Sequence, residues 1–169
     1  MIAFIIGGAR SGKSWFALQK ASLHTGQKAY IATAQPLDIE MQERIEKHKQ
    51  ERSEEWITIE EPLNMAALLR TAVNNYNVIL IDCLTIWLSN IMLADEKGLK
   101  TTIDDFISSL DEYGKSNLFI VSNEVGQGIV PDNALSRNFR DMAGFLNQRV
   151  ASVADEVYLV TAGIPLRIK

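Results

Sequence analysis

The stretch that most constrains this chain is Gly7-Gly8-Ala9-Arg10-Ser11-Gly12-Lys13-Ser14. It follows an apolar run, Ile2 to Ile6, and precedes a helix-like segment from Trp15 to Leu23. The pattern G-x-x-x-x-G-K-[ST] between a strand and a helix is a phosphate-binding loop. Its glycines let the backbone curl so that successive N–H groups point inward at phosphate oxygens. The helix beginning near Lys13 adds the positive end of its dipole. Lys13 can reach the β- and γ-phosphates of a nucleoside triphosphate, and the Ser14 hydroxyl can ligate Mg²⁺. The competing reading is a glycine-rich turn that binds nothing. It gives no reason for strand, loop, lysine and hydroxyl to stand in register.

A loop of this kind needs a parallel sheet behind it, and the rest of the chain supplies one. Ile2 to Ile6 reads as a buried central strand. Further strands are predicted at Lys28 to Thr33, Trp56 to Glu60, Val78 to Ile81, Leu118 to Val121 and Glu156 to Thr161. Helices are predicted between them at about Ile39 to Arg52, Leu63 to Asn74, Leu84 to Leu93, from Thr101 or Thr102 to Gly114, and from Asp132 or Asn133 to Ala154. Asp38 is placed to cap the second of the chain's helices, and Gly26 to end the first. Leu135, Phe139, Met142, Leu146 and Val150 form the expected core stripe of the last helix. Gly163 and Pro165 turn the chain, and Leu166 to Ile168 can return as a short antiparallel edge strand. Alternating strands and helices imply one α/β domain over residues 1–169. Its sheet is mainly parallel, with helices on both faces and right-handed crossovers.

Composition narrows the partners. A net charge of −4 leaves no dominant basic stripe, which argues against nucleic acid. The single cysteine, Cys83, excludes an intramolecular disulfide and fits a reducing cytoplasm. Beside an apolar run it reads as a small buried hydrophobe. No signal peptide is legible, and no apolar run is long enough to span a bilayer.

Two further places bear on chemistry. Val78 to Ile81 ends in Asp82, the arrangement in which a strand holds a carboxylate near the phosphate loop to bind Mg²⁺ directly or through water. Met41, Ile45, His48 and Arg52 share one face of the second helix, with Arg44, Lys47 and Lys49 around them. His48 has two readings there. It sits at the edge of an apolar stripe, or it faces a bound anion amid cations. A neutral imidazole nitrogen so placed can attack a nucleotide α-phosphate and expel pyrophosphate, with the cations stabilising the developing charge. Three classes remain open on this basis: a small-molecule kinase or nucleotidyltransferase, a nucleotide-dependent switch, and a motor-like ATPase. The compact length favours the first. A polar, glycine-containing stretch, Ser122 to Pro131, suggests a binding loop at a strand's carboxyl end, with an ordinary connection as the alternative.

The chain resembles the bifunctional adenosylcobinamide kinase / adenosylcobinamide-phosphate guanylyltransferase family of cobalamin assembly. The resemblance covers nearly the whole chain. It is carried by GGARSGKS at Gly7–Ser14, YIATAQ at Tyr30–Gln35, and D-x-E-M-x-x-R-I-x-x-H-K at Asp38–Lys49. W-x-T-x-E at Trp56–Glu60, SNEVGQGIVP at Ser122–Pro131 and R-N-F-R-D-M-A-G-F-L-N-Q-R at Arg137–Arg149 complete it. It implies two reactions at one site. ATP or GTP phosphorylates the aminopropanol hydroxyl of adenosylcobinamide. GTP then guanylylates a histidine, and GMP passes to adenosylcobinamide phosphate, giving adenosylcobinamide-GDP. The histidine corresponds to His48. The nucleotide-binding positions correspond to Gly7, Gly8, Ala9, Arg10, Ser11, Gly12, Lys13 and Ser14, to Ala32, Thr33 and Ala34, to Lys49, Gln50, Glu51 and Arg52, and to Glu60 and Asp82. Mg²⁺ falls to Ser14 and Asp82. The resemblance also implies a RecA-like P-loop fold, a homotrimer and a corrinoid substrate. Trp15, directly after the loop, and Glu124 receive no role from it.

Overall fold

The apolar runs become strands of one sheet. The computed structural model describes residues 1–36, 39–50, 52–72, 74–95, 97–112 and 116–169. Within 39–50 it describes side chains at Ile39, Gln42, Glu43, Ile45, Glu46 and Lys49. In chain order the elements are β1 (Ile2–Gly7), α1 (Lys13–Ser22), β2 (Lys28–Ala32), α2 (Ile39–Gln50), β3 (Trp56–Glu60), α3 (Met65–Ala72) and β4 (Val78–Asp82). They continue with α4 (Leu84–Ala94), α5 (Leu99–Asp111), β5 (Asn117–Asn123), α6 (Ala134–Val153), β6 (Glu156–Thr161) and β7 (Ile164–Arg167). The seven strands lie in the order β3-β2-β4-β5-β1-β6-β7. All pairings are parallel except β6 with β7.

Burial on both faces explains why the central strands read as continuous apolar runs. Along β1, Ile2 and Phe4 join one core cluster, and Ala3 and Ile5 join the other. The first cluster takes Met65 and Leu69 of α3, Trp87 of α4, Phe106 of α5 and Leu146 of α6. The second takes Ala17, Leu18 and Ala21 of α1. Chain direction therefore decides the face. The connections leaving β1 toward β2 run over one side, and those leaving β4 and β5 run back over the other. Neighbouring strands β1 and β5 thus send their connections to opposite faces. That is where an open α/β sheet forms a crevice at its carboxyl edge.

Several local expectations are corrected. The α5 helix begins at Leu99 behind Gly98, not at Thr101 or Thr102. Leu99 is buried and extends the apolar stripe by one turn, while the Thr102 hydroxyl donates back to the Gly98 carbonyl at 3.1 Å. Leu135 is 67% exposed rather than core. The α6 helix has 20 residues and crosses strands of six or seven. At about 1.5 Å per helical residue against about 3.3 Å per strand residue, its first turn overhangs the sheet. Asn147, which lies off the expected core stripe of this helix, is buried. Gly26 does adopt a positive φ of 100°, but it lies beyond the Leu23 cap of α1, in the turn leading to β2. The hairpin β6–β7 turns on Ala162 and Gly163, both at positive φ, and Pro165 lies within β7. Asn133 caps α6 as expected, accepting from the Ser136 N–H at 2.8 Å. Asp38 and Gly114 lie outside the described residues.

Candidate nucleotide site

Strand register brings the candidate residues level. Gly7 stands opposite Asn123, and Ala32 stands opposite both Glu60 and Asp82. The loop leaving β1 curls through Arg10 at φ 57° and Gly12 at φ 91°. Gly7 admits no side chain, because a Cβ there would lie 2.4 Å from the Val160 carbonyl oxygen. The turn is tied internally by the Ser11 N–H donating to Gly8 O at 3.2 Å. It is tied to the β6–β7 hairpin by the Gly163 N–H donating to Ser11 O at 2.8 Å. Gly12 precedes α1 and has no side chain with which to cap it, so the first-turn N–H groups face the loop's interior for an anion. Lys13 is buried, and its Nζ donates to Gly8 O at 3.1 Å. The ammonium is thereby held inside the curl.

Above the loop opens a cavity of about 110 Å³. Lys13, Ser14, Ala32, Ala34, Arg52 and Asp82 line it, together with Tyr30, Ile45, Cys83, Ile86 and Asn123. Two cations and one carboxylate thus share its wall, a balance suited to a polyphosphate carried with a divalent cation. Ser14 and Asp82 offer a hydroxyl and a carboxylate oxygen, the hard donors Mg²⁺ takes while keeping several waters. Among the described residues no cluster of three His, Cys, Asp or Glu side chains forms a metal cage.

The remaining candidates divide. Thr33 is fully buried, and its hydroxyl donates to Cys83 O and accepts from the Cys83 N–H, both at 2.9 Å. Its side chain joins the ends of β2 and β4, and its carbonyl accepts from Asn90 Nδ2 at 2.9 Å. Lys49 does not line the cavity; its ammonium lies 3.7 Å from the exposed Glu60 carboxylate. Glu61 caps the turn into α3, accepting from the Leu63 and Asn64 N–H groups. Gly8, Ala9 and Arg10 are exposed on the loop. The side chains of His48 and Gln50, and Glu51 altogether, lie outside the described residues; His48 belongs to α2, between Ile45 and Arg52, which both line the cavity. Glu124 accepts from the Gly126 N–H at 2.6 Å and so braces its own loop. Trp15 is 60% exposed on the first turn of α1.

Sequence reasoning missed Tyr30 and Asn123. The Tyr30 hydroxyl donates to Asp82 Oδ2 at 2.9 Å, and the Arg52 guanidinium lies 3.8 Å from the centre of the same ring. Burial, with Asp82 beside it, pushes the phenol well above its ordinary pKa, so it remains a donor. Asn123 has its N–H bonded to Thr85 Oγ1 at 2.7 Å and its carbonyl to Asn147 Nδ2 at 3.1 Å. In the sequence Tyr30 is one more apolar strand residue. Only its alternation with Ala29 and Ile31, which join the opposite core, hints at a different face. Burial likewise pushes the Cys83 thiol up to about 11, with Asp82 adding to the effect.

Solved structures share this architecture. A type III secretion system ATPase of pathogenic bacteria matches with a TM-score of 0.60 at 12% identity, over 95% of this chain and 51% of that one. The RadB recombinase matches with a TM-score of 0.50 at 14% identity, over 94% and 73%. These likenesses concern the fold alone, a mainly parallel sheet with helices on both faces shared with these ATPase and recombinase structures. Sequence comparison reaches further. The bifunctional adenosylcobalamin biosynthesis protein CobP of Pseudomonas aeruginosa is 42% identical over 166 residues, covering 98% of this chain and 95% of the relative. The CobU proteins of Escherichia coli and Salmonella typhimurium are 38% and 40% identical over the whole of both chains. The family model described as CobU, cobinamide kinase / cobinamide phosphate guanyltransferase, matches residues 3–168. The chain belongs to the cobinamide kinase / cobinamide phosphate guanyltransferase family.

Proposed function

We propose that this chain, as a single domain, phosphorylates adenosylcobinamide and then transfers GMP from GTP to the adenosylcobinamide phosphate. The observation that carries the reading is the cavity where Lys13, Ser14, Asp82 and Arg52 converge on the sheet's carboxyl edge, in a chain of this family. In the kinase step the substrate hydroxyl oxygen attacks the γ-phosphorus. The bond to the β-phosphate oxygen breaks, and the hydroxyl proton is released. Lys13 and the loop N–H groups neutralise charge on the transferring phosphoryl group. Ser14 and Asp82 would hold Mg²⁺, which would offset the charge of the phosphates.

In the second reaction a His48 ring nitrogen attacks the α-phosphorus of GTP. A P–N bond forms, the α–β P–O bond breaks, and pyrophosphate leaves. A phosphate oxygen of adenosylcobinamide phosphate then attacks the same phosphorus and returns the imidazole. Support comes from position: Ile45 and Arg52 on either side of His48 both line the cavity. We place the protein in the cytoplasm, as its one buried free thiol fits. We also expect three copies to assemble. The exposed Ile164 and Leu166 on the free side of edge strand β7 offer apolar surface for self-association.

The decisive experiment supplies Mg²⁺ and GTP labelled at the α-phosphate to the wild type and to His48→Ala. Label that stays on the denatured wild type, survives alkali, is lost in acid and is absent from the variant supports a guanylyl-histidine at His48. Tight GTP binding without covalent label would leave a direct kinase or a switch and remove the second reaction.

A further inference from the structure

We infer that Tyr30 is a positioning residue for both transfers: its hydroxyl fixes the Asp82 carboxylate and its ring seats Arg52. The inference rests on the reading of Asp82 as the acid that serves the nucleotide–cation complex. A carboxylate at a strand end turns freely about its last torsion and presents its oxygens in many directions. Here one direction is selected, because the Tyr30 hydroxyl donates to Oδ2 at 2.9 Å. The donor is itself fixed. Tyr30 is 6% exposed, and its ring meets the buried Trp56 edge-on at 6.4 Å and 86°. Arg52 packs against the ring, 3.8 Å from its centre, while its Nη1 donates to Thr58 Oγ1 at 3.0 Å.

One rigid side chain therefore touches the group on the cation side of the cavity and the group on the α2 side. Its hydroxyl also has an alternative account, in which Asp82 merely satisfies a buried donor. The two accounts differ in what the cation experiences. Hydrogen bonds behind a metal-binding carboxylate set its orientation, and their loss costs about 10- to 100-fold in metal affinity. A merely satisfied hydroxyl gives no such effect.

The test measures binding by calorimetry of GTP carrying a methylene bridge between its α- and β-phosphates, over a series of Mg²⁺ concentrations. This probe resists attack at the α-phosphorus and needs no acceptor. Tyr30→Phe keeps the ring and removes only the hydroxyl. Its Mg²⁺ midpoint is expected to rise about 10-fold, with probe affinity at saturating Mg²⁺ and melting temperature close to wild type. Tyr30→Leu also removes the seat of Arg52 and is expected to weaken binding even at saturating Mg²⁺. A Tyr30→Phe protein with the wild-type midpoint overturns the inference, whether or not its melting temperature falls. If the wild type itself binds the probe without regard to Mg²⁺, the assignment of Asp82 fails first and takes the inference with it.

Discussion

Lys13 and Cys83 line the same cavity and illustrate how burial acts on two different groups. The Lys13 side chain is buried and donates to Gly8 O, which holds it within the curl of the loop. Lys13→Ala removes its charge and is expected to slow both transfers by at least about 100-fold. Assays of phosphorylated product and of GMP transfer check this, and wild-type rates in either would refute it. At the thiol burial outweighs the hydrogen bonds from the backbone of Ile86 and Thr85 and pushes it up to about 11. At pH 8 its reactive thiolate is roughly one part in a thousand. Iodoacetamide should therefore label Cys83 slowly in the native protein and quickly in denaturant, read by intact mass.

Among the elements, the strand–loop–helix unit of β1 and α1 tolerates least. A methyl group at Gly7 would meet the Val160 carbonyl at 2.4 Å and Ser11 Oγ at 2.6 Å. Gly7→Ala must push the loop off β6, at a cost of about 1–3 kcal/mol. Thermal melting without nucleotide should show the loss of stability, and GTP binding should weaken with it. The contact of α3 with α5 is of another kind, an exposed pairing of Arg70 with Asp105 at 2.8 Å. The Arg70 guanidinium holds the Asp105 carboxyl below its ordinary value. A depressed folded-state value contributes stability above the unfolded value, near 3.9, and loses it as pH falls through the folded one. Asp105→Asn should therefore melt slightly below wild type at pH 7, and the difference should vanish as pH falls through the depressed folded-state value. The effect is small, because solvent screens an exposed pair.

At the scale of the whole molecule, one sheet carries both core clusters. A single cooperative melting transition is expected, and two separated transitions would contradict the one-domain reading. GTP with Mg²⁺ at 100 times its dissociation constant should raise stability by about 2.7 kcal/mol. Lys13→Ala should abolish that increment.

The phosphate loop, the order of strands and helices along the chain, the antiparallel final strand and Asp82 were legible in the sequence, because each leaves a local pattern. Loops need glycine, buried parallel strands are apolar, and an acid after such a strand stands out. The family motifs likewise lie within short segments. What a linear pattern leaves undecided is adjacency across the sheet. Tyr30 and Asp82 are 52 positions apart. They meet because β2 pairs with β4 in a register that sets Ala32 against Asp82. The Ser11–Gly163 bond, the burial of Asn147 and the overhang of Leu135 also depend on which strands become neighbours and how far a helix outruns them. Local chemistry therefore fixed the glycine-rich loop between β1 and α1. Long-range pairing decided which side chains surround it, since no short segment records its distant partners.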